Sequence, residues 1–161
     1  MPLRVLRKLS AAGQLDYRAL ADLRYQLRRF SRIREVAARD AGIEPQQYLM
    51  LLQIKGLEGR QAPTIGVLAE RLQIRHHSGV QLVNRLVARG MVERRRDRRD
   101  RREVVVWLQP AGEKFLSRLA QYSFDELTVE GPQLVSSLRR LIARSTRGRD
   151  VSRNGTRKAT K

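Results

Sequence analysis

Apolar residues recur at helical spacing along most of the 161-residue chain. Leu20, Leu23, Leu27 and Phe30 step by three, four and three, which draws one stripe on a long helix over residues 16–41. Asp16 is its expected N-cap, and Gly42 stands where it should stop. Pro45 suits the first turn of a second helix, 45–56, with Tyr48, Leu51, Leu52 and Leu57 inward. Thr64 caps a short third helix with Val67, Leu68 and Leu72 inward, and residues 73–75 read as a tight turn. A fourth helix, 76–89, buries Val80, Val83, Leu86 and Val87 and ends at Gly90. Residues 91–93 begin an extended segment, 94–102 (RRRDRRDRR) are too polar for a core, and 103–108 (EVVVWL) read as a strand. Pro110 opens a fifth helix, to about 129, with Phe115, Leu116, Leu119, Tyr122 and Leu127 on its apolar side. The Gly131-Pro132 pair is expected to break it, and Pro132 to start a last helix carrying Leu134, Leu138, Leu141 and Ile142.

The predicted fold is therefore mainly α with one small β-hairpin. A short helix, a tight turn, a second helix and a charged hairpin make a winged helix-turn-helix over about 62–109. The flanking helices, 16–41 and 110–145, carry apolar stripes that one small lobe could hardly cover. Residues 1–15 are a basic N-terminal arm or an early extension of the first helix, and 16–145 form a single domain. Residues 146–161 are polar and basic and are expected to be a disordered tail.

Charge narrows the choice of partner. Lys and Arg number 34 against 16 Asp and Glu, a net charge of +18, and such a field attracts polyanions. Most of these positive residues are Arg, whose planar fork suits phosphates and guanine edges. There are no cysteines, which excludes disulfides, Cys-ligated metals and thiol redox sensing. No apolar run is long enough to span a membrane, and the N-terminus is a poor signal peptide, so a cytoplasmic protein is the default.

Two constellations carry chemistry. In a helix-turn-helix the second helix enters the DNA major groove. On the fourth helix His77, Ser78, Gln81 and Arg85 share one face. Gln bonds an adenine edge through two atoms, and Ser reaches a base or a phosphate. In the wing, Arg98, Arg99 and Arg102 suit phosphates and the narrow minor groove. Asp97 or Asp100 is expected to pair with a neighbouring arginine and hold the loop in one shape.

Residues 64–109 resemble the DNA-binding lobe of the MarR (multiple antibiotic resistance regulator) family. That family's wing shows a D-x-R-x-x-R pattern, which Asp97, Arg99 and Arg102 match. The flanking LVNRLVARGMVERR and VVVWLQPAGEKF resemble its passage from recognition helix through wing to the next helix, and the likeness covers about 16–145. Arg75 stands where the family commonly has a Ser or Thr cap, Gln81 where an Arg or other polar reader is frequent, and Gln109 where Thr is common. The resemblance implies a homodimer joined through its terminal helices. It implies a repressor that binds a pseudo-palindromic double-stranded DNA site, with half-sites about one turn apart. It also implies release by a small, often phenolic, effector bound in a cleft between the dimer helices and the lobe.

Other readings are weaker. His76 and His77 are adjacent, point about 100° apart on a helix, and make no chelate. Trp107 and the tyrosines Tyr17, Tyr25, Tyr48 and Tyr122 are read as packing residues by default. No Gly-rich phosphate loop, nucleophile elbow or paired-His motif is present, so neither enzyme activity, nor a cofactor, nor a metal is expected. The rival from a different class is a non-specific nucleic-acid packaging or architectural protein, which the charge fits equally well.

Overall fold

The computed structural model describes residues 16–96 and 104–155, with side chains to 143. Its elements are α1 (Tyr17–Asp40), α2 (Pro45–Leu57), α3 (Ile65–Arg71), α4 (His76–Ala88), β1 (Val92–Arg96), β2 (Val104–Leu108) and α5 (Pro110–Gly155). They fall into two compact units. One comprises Arg32–Asp125. The other joins the chain up to Ser31 with the chain from Glu126 onward. The sequence pattern predicts one domain over 16–145, whereas α1 and α5 each contribute to both units.

Local chemistry sets the boundaries. The Asp16 side chain accepts from the Ala19 amide at 2.9 Å, and the Thr64 hydroxyl accepts from the Val67 amide at 3.3 Å. Glu44 and Gln47 form a reciprocal capping box on α2, whose first residue is Pro45. Gly42 and Gly90 close α1 and α4 at φ +80° and +64°, where a side chain would be strained. At Gly90 the return is complete: its amide bonds the Val87 carbonyl, and the Met91 amide bonds that of Leu86.

The core of the Arg32–Asp125 unit lies between α2, α4, the hairpin and the start of α5. Met50, Leu51, Ile54, Leu68, Val83, Leu86, Val92 and Val106 are almost wholly buried there. Helix α2 is covered on most sides, with Gln47, Tyr48, Met50, Leu51, Ile54 and Leu57 all buried. Leu52, read as inward, is instead 38% exposed. Tyr48 bonds Ser123 at 3.0 Å, tying α2 to α5. Lys55 bridges Glu58 and Glu113, and the hydrogen bond to Glu113, followed by that to Glu58, holds its ammonium above the usual lysine range. This bridge is exposed and contributes little to stability.

The hairpin is antiparallel, with Val92 opposite Leu108 and Arg96 opposite Val104. Strand β1 takes in Arg94, Arg95 and Arg96, which by polarity alone belong to the loop. A strand needs apolar residues only on its covered face, so exposed arginines continue the ladder. Val105 also bridges Thr64, and the Val106 amide bonds the Pro63 carbonyl at 3.0 Å, so the segment before α3 joins the hairpin.

Two expectations about the C-terminal helices need correction. The Gly131-Pro132 pair does not break the chain; α5 runs through it. Ser123, Glu126, Glu130, Leu134, Ser137 and Leu141 are buried or half-buried at helical spacing on both sides of the proline, while Pro132 itself is exposed. The stripe therefore stays in phase, and the lost amide bond lies on the outer side, where it costs least. Helix α5 also covers residues 146–155, the first part of the stretch expected as a disordered tail. In the terminal unit, Arg29 and Glu130 form an ion pair at 2.6 Å.

Candidate nucleic-acid interface

Helix α4 is positioned by its back. Gly79, Leu82, Val83 and Leu86 are buried along it. Leu82 replaces Val87 in the sequence-derived set, since Val87 is 38% exposed and Val80 is half-buried. Gly79 lets α4 cross α3 closely: a Cβ there would lie 3.2 Å from that of Ala69. The turn between the helices holds Gln73 at φ +54°.

The opposite face is open. His77, Gln81 and Arg85 are exposed one turn apart, with Asn84 and Ala88 also exposed toward the C-terminal end of the helix. Ser78 sits on the flank, half-buried. Among the described residues nothing hydrogen-bonds or ion-pairs with the side chains of His77, Gln81 or Arg85. Arg75 occupies the N-cap in extended geometry and makes no side-chain capping bond. The first-turn amides of α4 therefore lack a side-chain cap at the positive end of its dipole.

The base of the wing adjoins this face. Arg94 donates from Nη2 to Asn84 Oδ1, linking β1 to α4. Arg95 lies over the Trp107 ring, 5.7 Å from its centre, and also pairs with Glu93. Trp107 is 45% exposed and not a core residue, because it stands opposite Glu93 on the outer face of the hairpin. At the far end of α4, Arg89 donates from Nη2 to the Gly42 carbonyl at 2.9 Å and from Nη1 to Gln47 Oε1 at 3.4 Å. Asn84, Arg89 and Arg94 carry no distinguishing signal in the sequence, because charge and periodicity do not show which arginines are engaged internally. The wing residues Asp97, Arg98, Arg99, Asp100 and Arg102 lie outside the described residues.

A cavity of about 400 Å³ lies beside the end of α1. Val36, Ala37, Asp40 and Ala41 line one side, and Phe115, Arg118, Leu119 and Tyr122 of α5 the other. Among the described residues no group of three His, Cys, Asp or Glu is placed to hold a metal ion, and no helix is long and apolar enough to cross a membrane.

Residues 41–103 match the family model described as MarR family. The winged-helix lobe is a MarR-family domain. Solved MarR-family structures also match over most of the chain. A MarR transcription factor from Planctomyces limnophilus is 26% identical, with 81% of this chain and 95% of that one covered at a TM-score of 0.58. Another MarR family transcription regulator is 22% identical, covering 85% and 92% at a TM-score of 0.63. A mutant MarR from E. coli complexed with operator DNA is 21% identical, covering 74% and 87% at a TM-score of 0.61. Their shared architecture is a mainly helical chain carrying a two-stranded wing. No curated protein sequence matches the chain. The MarR relatives named here are transcription regulators, not enzymes.

Proposed function

We propose that this chain is a sequence-specific, double-stranded DNA-binding transcriptional regulator that acts as a homodimeric repressor. The observation that carries this reading is the open face of α4. It presents His77, Gln81 and Arg85 beside an uncapped helix start and an arginine-bearing strand. In this reading α4 lies in the major groove, with Gln81 reading a base and Ser78 and the first-turn amides holding phosphate. Arg98, Arg99 and Arg102 follow the adjacent backbone and minor groove, in a loop shaped by Asp97 and Asp100.

Dimer formation is supported by apolar side chains left in solvent on the terminal helices. Tyr17 and Tyr25 of α1 and Phe124 and Val129 of α5 are each more than 60% exposed. Release by a small aromatic effector is supported by the mostly apolar cavity beside Phe115 and Tyr122, whose size suits such a molecule. By linkage, the effector must favour a state that binds DNA poorly.

The test is a fluorescence-anisotropy titration of the full chain. One duplex carries the intergenic DNA upstream of its gene, the other a shuffled version, each at two salt concentrations. A preference of roughly 10³ or more, with two chains per site, is expected of a regulator. Equal binding that collapses with salt would instead favour the packaging reading, which the net charge of +18 supports. In the same assay Gln81→Ala is expected to cost about 1–3 kcal/mol at one base position and almost nothing elsewhere.

A further inference from the structure

We infer that Arg89 and Arg94 are positioning residues that fix the roll of α4, and that neither spends its charge on DNA phosphate. This rests on the DNA-binding reading above for one of its two readouts.

The back of α4 is an apolar stripe, and such a stripe resists separation from the core better than rotation about the helix axis. A roll of about 20° moves atoms at a side-chain radius of roughly 5–6 Å by about 2 Å. That exceeds what a hydrogen bond to a base edge tolerates. Polar clamps at the sides of the helix would remove this freedom, and the structure supplies two. Arg94 reaches from β1 to Asn84, in the third turn of α4. Arg89, the residue that ends α4, reaches the other way, to the Gly42 carbonyl and the Gln47 side chain. Gln47 is a firm anchor, because it is 5% exposed and its Oε1 also accepts from the Glu44 amide in the α2 capping box. Both clamps act on the C-terminal half of α4. The N-terminal half has its own constraint in the close crossing of Gly79 over Ala69.

Engaged and free arginines leave different traces in salt. A guanidinium in contact with a phosphate steepens the salt dependence of binding, whereas one held on neutral internal acceptors away from phosphate leaves the slope nearly unchanged. Arg85, on the open face, serves as the free comparison.

The experiment uses full-length Arg89→Met, Arg94→Met and Arg85→Ala proteins, titrated with the native and shuffled duplexes across a salt series. Arg89→Met and Arg94→Met are each expected to weaken binding of the native duplex about tenfold or more. Shuffled-duplex affinity and the salt slope should stay at the wild-type values. Arg85→Ala should lower the slope. Arg89→Lys should fail to restore Arg89→Met, since an ammonium cannot span both acceptors as the planar fork does. Hydrogen exchange without DNA gives the second readout: amides over residues 82–90 should exchange faster in both Met variants while the α2 amides do not change. A slope reduced by about one per removed arginine, with both duplexes weakened alike, would overturn the clamp and make these residues phosphate contacts. Unchanged exchange over 82–90 would overturn it too. If the wild-type protein does not distinguish the duplexes, the DNA-binding reading fails, and the exchange result still decides the clamp.

Discussion

Replacing Gly112 with Ala is expected to destabilise the winged lobe by about 3 kcal/mol, seen as a fall in Tm of roughly 10 °C in thermal unfolding. A Cβ at this position would lie 2.1 Å from the Met91 carbonyl oxygen and 3.2 Å from its Cα. What it meets is backbone, so no rotamer change relieves the overlap. That carbonyl is also held in place, because it accepts the Gln109 amide at 2.9 Å. Met91 joins the end of α4 to β1, so α5 can move away only by disturbing the base of the wing. Gly66→Ala is the matched comparison. Its Cβ would meet nothing closer than 3.9 Å, and in the first turn of α3 alanine should be neutral or gain up to about 0.5 kcal/mol. Equal Tm values for the two variants would show that Gly112 is not a close-packing position.

The second large effect concerns binding. Changing Arg98, Arg99 and Arg102 together to Ala should weaken DNA binding roughly a hundredfold or more at low salt. The salt slope should fall by up to about three per protomer. The loss should be similar for native and shuffled duplexes, because phosphate contacts position the protein without reading sequence. Thermal unfolding of the triple variant beside the wild type is the control, and matching Tm values are expected. A triple variant that keeps the wild-type slope would remove the wing from the proposed interface.

Much of this architecture is legible in the sequence because a helical stripe and a capping residue are local signals. Asp16, Thr64, Gly42 and Gly90 mark helix ends at the positions the pattern predicts, and the structure shows the hydrogen bonds that make them do so. Misreadings arise where the deciding partner is distant. Val87 and Leu82 are equally apolar, and only the packed lobe determines which faces inward. Trp107 reads as core by its chemistry, yet its register against Glu93 turns it outward. Pro132 reads as a break because its cost is local, whereas the stripe that carries α5 past it spans several turns. The open face of α4 follows from spacing through His77, Gln81 and Arg85. The internal engagement of Arg89 and Arg94 does not, because in a chain so rich in arginine only geometry separates a clamp from a free charge.

Trp107 has an optical consequence. It is the only tryptophan in the chain, and it stands half-exposed on a wing strand with the Arg95 guanidinium over its ring. Light absorbed at the red edge of the protein spectrum is therefore re-emitted from the wing alone, with no indole elsewhere to dilute it. The protein carries a built-in, unlabelled chromophore at the place where proposed DNA contacts and hairpin geometry meet, and its colour and brightness belong to that one strand.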